Sequence, residues 1–174
     1  AMIPVFEDAR IPFISLAGAV QIVEPVRKFV FKTPHTDKMA CEKIYEDLKK
    51  RNLLSVAQIS GTDGFGASMK KECDAVAPKV GVTIQHQESF GPRDTDMTPQ
   101  IIKLKNAGAQ CILNFALVRE NTFVAQTKQR LGDKTPYISG WGIAGPSYWQ
   151  AAGKAAEGIC TSSTITIDGP QSPE

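Results

Sequence analysis

A loop with three glycines is the first stretch whose residue types and spacing could support chemistry. In "SVAQISGTDGFGASMKKECDAVAP" an apolar run precedes Gly61, Gly64 and Gly66, and a helical pattern follows. Their spacing, G-x-x-G-x-G, fits neither the dinucleotide fingerprint nor the phosphate loop of nucleotide-binding proteins, and Asp63 would repel a phosphate. A helix N-terminus is still a general anion site. We predict that the glycines turn the chain and expose Phe65 at the loop tip; the alternative is that Phe65 packs beneath its own loop.

Other arrangements of side chains that could carry out catalysis are sparse. Asp94 and Asp96 lie close in sequence, but Asp96 fits the start of a helix better than an acid–base pair. No G-x-S-x-G motif occurs, and neither His35 nor His86 stands near a serine in a pattern typical of a catalytic triad. We therefore predict that the protein is not an enzyme and needs no cofactor.

The cysteines give no sign of a metal site. Cys41, Cys73, Cys111 and Cys160 form no C-x-x-C pair, and their spacing does not indicate zinc binding. The first two fall in helical patterns and the last two in strand patterns. We expect all four to be small buried hydrophobic residues rather than disulfide partners.

Composition limits the class of protein. The chain has 174 residues, of which 42% are hydrophobic, and a net charge of +2. This length suits one compact domain, or one domain with part of a neighbour. No basic stripe alternates with aromatic residues, so nucleic-acid binding is not indicated. No apolar stretch reaches the roughly 20 residues that a membrane span needs, and no signal peptide is visible.

Strand and helix patterns alternate along the chain and must position any site. Apolar runs predict strands at 11–16, 28–33, 53–60, 82–90, 109–117, 135–140 and 158–167. Helical spacing predicts helices at 37–51, 66–79, 99–108, 119–132 and 145–156. The alternation predicts an α/β fold, a three-layer parallel sheet with helices on both faces. Ligands bind such sheets beyond the carboxyl ends of the strands, which favours the loops starting at Gly61, Asn114 and Ser139.

Several stretches together resemble the branched-chain amino-acid-type substrate-binding proteins of bacterial ABC importers. They are "IPFISLAGA", "IVEPVRKFVFKTPHTDKMA", "ISGTDGFGASM", "ESFGPRDTDMTPQIIKLKNAGAQCILN" and "AAEGI". Members of this family have the type I periplasmic binding fold, in which two α/β lobes close on a small solute. The resemblance implies a periplasmic or other extracytoplasmic receptor that delivers its solute to a membrane permease through hinge closure, without a chemical step. A ligand-sensing regulatory domain with the same fold is the alternative.

The resemblance also implies a division of the chain. Family members are longer, so residues 1–32 correspond to a remnant of the first lobe and a crossover. Residues 33–165 correspond to the second α/β lobe, and residues 166–174 to a tail or crossover. We expect the chain to be a piece of a longer receptor. In isolation, the segment from Ile11 to Phe31 would dimerise or exchange strands with a second copy.

The binding site of the family transfers to specific residues of this sequence. Ala17 and Ala19 fall in the first-lobe loop that binds the carboxylate and ammonium groups of the ligand, and Ala19 replaces the usual hydroxyl residue. Phe65 matches the aromatic residue that covers the ligand. Asn114 and Phe115 directly precede a further position of the site.

Two more residues determine the ligand that the resemblance implies. Leu117 falls near another aromatic position of the family's site. Trp141 falls where amino-acid binders carry an acidic residue that pairs with the ammonium group. A buried ammonium without a counter-charge costs several kcal/mol. We therefore predict a small aromatic or aliphatic carboxylate as the ligand rather than an α-amino acid. The alternatives are a branched-chain amino acid or amide as the ligand, and a purely structural role for Trp141.

Overall fold

Two parallel sheets organise residues 2–164, the part of the chain that the computed structural model describes. The first sheet has two strands, β1 (Phe13–Ser15) and β2 (Val30–Lys32), and follows a short helix, α1 (Ile3–Ala9). The second sheet has five strands: β3 (Ser55–Gly61), β4 (Thr83–Phe90), β5 (Cys111–Phe115), β6 (Tyr137–Ser139) and β7 (Cys160–Thr161). Their order across the sheet is β4-β3-β5-β6-β7, and every neighbouring pair is parallel.

Five further helices connect and cover these strands. They are α2 (Asp37–Lys50), α3 (Gly64–Val80), α4 (Thr98–Asn106), α5 (Val118–Arg130) and α6 (Pro146–Ala152). Short 3-10 turns occupy Val20–Ile22, Trp141–Ile143 and Gly153–Ala156. Residues of α2 and α3 pack on one face of the five-stranded sheet, and residues of α4 and α5 pack on the other. The predicted α/β fold, with a parallel sheet between two layers of helices, is therefore confirmed.

Alternating side chains on the strands supply the two halves of the core. Val56 on β3 packs with the helices of one face, and its neighbour Ala57 packs with those of the other. On β5, Leu113 and Ile112 divide in the same way, and both are fully buried. Strands buried on both faces read as continuous apolar runs, which is why the sequence shows them without alternation.

The expectation for the cysteines is wrong for one pair. Cys41 on α2 and Cys73 on α3 form a disulfide with a Cα–Cα distance of 5.1 Å. Cys111 is a free, buried cysteine as expected, and burial raises the pKa of its thiol to about 12. Cys160 is also free but only partly buried.

The predicted elements fit the structure with a few differences. Helix α1 has no counterpart among the predictions, and α3 begins at Gly64, two residues earlier than predicted. The last predicted strand, 158–167, appears as the two residues of β7; its end and the predicted tail at 166–174 lie outside the described residues. The assignment of the two sheets to two lobes stays a prediction.

Candidate ligand-binding site

A cavity of about 230 Å³ lies where the loops after β3, β5 and β6 meet the loop after β1. Eight residues line it: Ala17, Gly18, Ala19, Asp37, Gly64, Phe65, Leu117 and Trp141. Five of these are among the seven site residues predicted from the sequence: Ala17, Ala19, Phe65, Leu117 and Trp141. The structure thus brings together residues that are up to 124 positions apart, at the sheet edge where parallel α/β folds bind ligands.

Phe65 and Trp141 form the aromatic wall of the cavity. Their ring centroids are 5.3 Å apart and their planes meet at 84°, an edge-to-face arrangement. Trp141 lies between two glycines, and a side chain at either of them would crowd the Phe65 ring. A Cβ atom added at Gly140 would lie 3.3 Å from Cζ of Phe65, and one at Gly142 would lie 3.2 Å from its Cε1. Phe65 is half-buried: it packs against the core cluster formed by α2 and α3 and also lines the cavity, so it is not the exposed residue that the sequence predicts.

Phe65 lies in the first turn of α3 rather than at a loop tip. Asp63 precedes the helix, and its Oδ1 accepts hydrogen bonds from the amides of Phe65 (2.8 Å) and Gly66 (3.1 Å). This cap explains why the helix begins earlier than predicted. It also means that a carboxylate of the chain itself already uses the amides that a phosphate would need. The hydrogen bonds to Asp63 therefore disfavour a phosphate or nucleotide at this loop.

Asp37 is a residue of the cavity wall that the sequence pattern predicts only as the first residue of a helix, 37–51. Its side chain is 1% exposed and is the only charged group among the eight lining residues. Oδ1 accepts from Nε1 of Trp141 (3.1 Å), and Oδ2 accepts from Oγ of Ser68 (2.5 Å). Thr36 caps α2, as its Oγ1 accepts from the amide of Met39 at 3.2 Å. The local pattern therefore identified the helix start but not the contact with Trp141.

Two basic residues lie beside Trp141 and Asp37. The Lys32 ammonium donates to the carbonyl oxygens of Pro34 (2.6 Å) and His35 (2.5 Å). Burial lowers the pKa of Lys32, and the charge of Asp37 opposes this shift. The His35 ring meets the Trp141 indole edge-on at 5.3 Å. Burial and the charge of Lys32 lower the pKa of His35, against the opposing effect of Asp37.

Asn114 and Phe115, the other two predicted site residues, lie elsewhere. Both are fully buried in β5. Asn114 donates through its Nδ2 to the hydroxyl of Tyr137, which in turn donates to Oδ1 of Asn121 at 2.9 Å. Phe115 belongs to the core beneath α2 and α3. The structure thus gives Asn114 and Phe115 positions inside the sheet and not in the wall of the cavity.

The acidic residues after β4 accept hydrogen bonds from nearby backbone amides. Oδ2 of Asp94 accepts from the amide of Gly91 at 2.8 Å. Oδ1 of Asp96 accepts from the amide of Thr98 at 3.0 Å, which confirms its role at the start of α4. Within residues 2–164, no group of three or more His, Cys, Asp and Glu side chains is placed to hold a metal ion. No helix in that range is long and apolar enough to cross a membrane.

A second cavity, of about 320 Å³, lies beside the amino end of β6. Its wall includes an ion pair between Lys128 and Asp133, with a Nζ–Oδ2 distance of 2.7 Å and side chains 8% and 2% exposed. Burial raises the pKa of Asp133, but hydrogen bonds from Lys128 and Thr135 lower it below the ordinary value. This cavity is at the end of the sheet opposite to the aromatic wall.

A comparison with protein families decides the class of the molecule. A model described as "Periplasmic binding protein" matches residues 1–174, the whole chain. The chain belongs to the periplasmic binding protein family. This result confirms the resemblance on which the prediction of the site was based.

Individual members of this family share moderate sequence identity with the chain. The Leu/Ile/Val-binding protein homolog 3 of Brucella melitensis is 27% identical over 131 residues, covering 74% of this chain and 35% of the relative. An extracellular ligand-binding receptor from Rhodopseudomonas palustris is 27% identical and superposes with a TM-score of 0.82, over 90% of this chain and 44% of the receptor.

A third protein has a similar fold at lower identity. A leucine-binding protein from Thermotoga maritima superposes with a TM-score of 0.88 over 98% of this chain and 49% of that chain, at 17% identity. At that identity the likeness concerns the fold alone. The chain therefore spans between about a third and a half of the length of these three proteins.

Proposed function

We propose that this chain is part of an extracytoplasmic solute-binding protein of an ABC importer. The observation that carries the proposal is the cavity at the carboxyl ends of the strands, with the edge-to-face pair of Phe65 and Trp141 as its wall. Such a wall binds the apolar body of a small ligand. Closure of a second lobe over this ligand would complete the site, and delivery to a membrane permease would follow without a chemical step.

The disulfide supports an extracytoplasmic location. Cys41 and Cys73 are both fully buried and joined across two helices. Disulfides of this structural kind persist in oxidising compartments such as the bacterial periplasm and are rare in the cytosol. The redox chemistry of the cysteines therefore agrees with the location that the proposal requires.

For the ligand we propose a small carboxylate with an aromatic or aliphatic body. Phe65, Leu117 and Trp141 supply apolar surface, and Ala19 offers no hydroxyl to a polar head group. The two carboxylate oxygens of Asp37 already accept hydrogen bonds from Trp141 and Ser68. Repulsion by Asp37 would direct the ligand's own carboxylate away from this part of the wall.

A branched-chain amino acid is the second candidate ligand, and Asp37 is the observation that favours it. Its carboxylate supplies a negative charge in the cavity wall, which the Trp141 side chain does not. An ammonium group facing Asp37 would be paired rather than buried alone. The names of similar proteins agree with this candidate, since they include a Leu/Ile/Val-binding protein homolog and a leucine-binding protein.

Calorimetric titration of the full-length protein distinguishes these ligands. We expect binding of an aromatic acid such as benzoate or 4-hydroxybenzoate, or of a branched aliphatic acid, to be tighter than binding of leucine or valine. Tight leucine binding would contradict the proposed carboxylate ligand and support a branched-chain amino acid instead. Absence of binding for every acid and amino acid tested would reject the solute-binding proposal.

Replacement of Phe65 by alanine tests whether the aromatic wall binds the ligand. We expect F65A to raise the Kd at least about 10-fold, because it removes a ring that contacts both the cavity and Trp141. The control is W149A, which removes a 40% exposed aromatic residue of α6 that does not line the cavity. Unchanged affinity in F65A, measured by the same titration, would place the ligand elsewhere.

The first sheet leads to a prediction for the 174-residue chain on its own. Ile14, Leu16 and Phe31 on and beside its strands are 62%, 75% and 51% exposed. A two-stranded sheet leaves unpaired backbone groups at both edges, which favours pairing with a second copy. We expect sedimentation velocity to show a dimer whose fraction rises with concentration and falls in an Ile14→Lys variant. A monomer at all concentrations would contradict this expectation.

A further inference from the structure

Asp37 connects three segments that are distant in sequence. Its amide donates to the carbonyl oxygen of Gly18 at 2.9 Å, which attaches the loop after β1 to the start of α2. Its carboxylate accepts from Ser68 on α3 and from the Trp141 indole after β6. The amide and the side chain of Asp37 thus connect the loop after β1, helix α3 and the loop after β6 at the cavity.

The energetics of a buried carboxylate make these contacts strong. Asp37 is 1% exposed, so its charge needs hydrogen bonds in place of water. Hydrogen bonds to an ionised acceptor are about twice as strong as neutral ones. The position of Asp37 in the first turn of α2 adds the favourable field of the helix N-terminus. The Nε1 group of Trp141 is a donor only, and Asp37 is its acceptor.

Gly18 shows how closely the indole is held. A Cβ atom added at Gly18 would overlap Oδ1 of Asp37 and would lie 2.9 Å from Cζ2 of Trp141. The indole ring therefore packs directly against the backbone of the loop after β1 on one side. The indole also contacts the rings of Phe65 and His35, both in edge-to-face arrangements. Rotation of the ring would break the bond to Asp37 and these ring contacts together.

We propose that Asp37 is a positioning residue, which holds the Trp141 indole in the orientation that shapes the ligand-binding wall before any ligand arrives. A wall that is already ordered lowers the entropy cost of binding, so Asp37 should raise the affinity for the ligand. This effect on affinity rests on the proposed function. The orientation of the indole itself does not depend on that function and is measurable without a ligand.

Hydrogen exchange of the two indole N–H groups tests the proposal in the unaltered protein. Among the described residues Trp141 has Asp37 as acceptor for Nε1, whereas Trp149 is 40% exposed and has no acceptor for its own. We expect the Trp141 indole proton to exchange at least about 10-fold more slowly than that of Trp149 in an NMR measurement. Equal exchange rates would overturn the proposal.

Two substitutions at Asp37 separate positioning from general stability. In the 174-residue chain with Trp149→Phe, Trp141 is the only tryptophan, so its fluorescence reports its own surroundings. We expect Asp37→Ala to shift the emission maximum to longer wavelength and to remove the protection of the indole proton. Asp37→Asn keeps an oxygen acceptor and should retain most of the protection. A retained emission maximum and retained protection in D37A would contradict the proposal.

Asp47→Asn is the matched control for the change of charge. Asp47 lies on the same helix and pairs with Arg51 at 2.9 Å, on an exposed surface. The substitution D47N should leave the fluorescence of Trp141 and the exchange of its indole proton unchanged. If D37A does not fold, the indole exchange rates of the unaltered protein and of D37N still test whether Asp37 positions Trp141.

Ligand affinity of the full-length protein completes the test. We expect D37A to raise the Kd about 10-fold, with D37N closer to the unaltered protein and D47N equal to it. If the unaltered protein binds no solute, the proposed function fails while the exchange result for Trp141 stands. If the protein binds solute but its Trp141 indole proton is unprotected, the positioning role fails alone.

Discussion

Replacement of both Cys41 and Cys73 by alanine is expected to lower the free energy of unfolding by about 4 kcal/mol. The disulfide joins residues 32 positions apart, and closing a loop of that length removes about 3.7 kcal/mol of entropy from the unfolded chain at 25 °C. Both sulfur atoms are also fully buried, so their removal leaves small cavities between α2 and α3. Urea denaturation followed by circular dichroism measures the difference.

The control for this prediction is Cys160→Ala. Cys160 is free and partly exposed, so its replacement should change the free energy of unfolding by no more than about 0.5 kcal/mol. Thiol labelling of the unfolded chain without reductant should modify two of the four cysteines, and all four after reduction. Labelling of four without reductant, or equal stability of the oxidised and double-variant proteins, would contradict the pairing.

The disulfide also concerns the candidate site. Cys41 lies about one helical turn after Asp37 on α2, and Cys73 lies about two turns after Phe65 on α3. The covalent bond therefore joins the two helices whose first turns supply one polar and one aromatic residue to the cavity. Loss of the bond should allow these first turns to move apart, so the double variant should also bind ligand less tightly.

Local sequence patterns are sufficient to predict the fold and one of the two aromatic residues of the cavity wall, Phe65. The strands at β3 and β5 read as short apolar runs because parallel strands are buried on both faces. Phe65 follows a glycine turn at the end of such a strand, where α/β proteins bind ligands, so its position alone made it a candidate. Trp141 was identified through the resemblance to the substrate-binding family, and the structure places it 5.3 Å from Phe65.

The remaining parts of the site depend on contacts that no local pattern contains. Asp37 and Trp141 are 104 positions apart, and the first turn of a helix explains an aspartate well enough without a second partner. The same limit applies to Cys41 and Cys73, whose pairing depends on how α2 packs against α3. The resemblance and the start of a loop after a strand both favour Asn114 as a site residue, but every residue of β5 is buried, so the sequence gives no sign of where the exposed part begins.

Replacement of Gly66 by alanine is expected to lower the free energy of unfolding by about 3 kcal/mol, the upper part of the range for overpacked sites. A Cβ atom there would overlap the carbonyl oxygen of Gly61 and lie 2.7 Å from two further backbone atoms of that residue. Backbone atoms at the end of β3 cannot rotate away as a side chain would. Helix α3 must therefore move outward, which outweighs the gain of up to about 1 kcal/mol that alanine brings to a helix.

Gly64→Ala provides the matched comparison, since it makes the same change two residues earlier in the same helical turn. A Cβ atom at Gly64 would meet nothing within 4 Å, so alanine should raise the free energy of unfolding by about 0.5–1 kcal/mol. Thermal and urea unfolding of the two variants should therefore move in opposite directions. Because Phe65 lies between the two glycines, outward movement of the helix in G66A also withdraws its ring from Trp141, and ligand affinity should fall even where the variant is folded. Similar stability of the two variants would show that α3 does not rest on the end of β3 through Gly66.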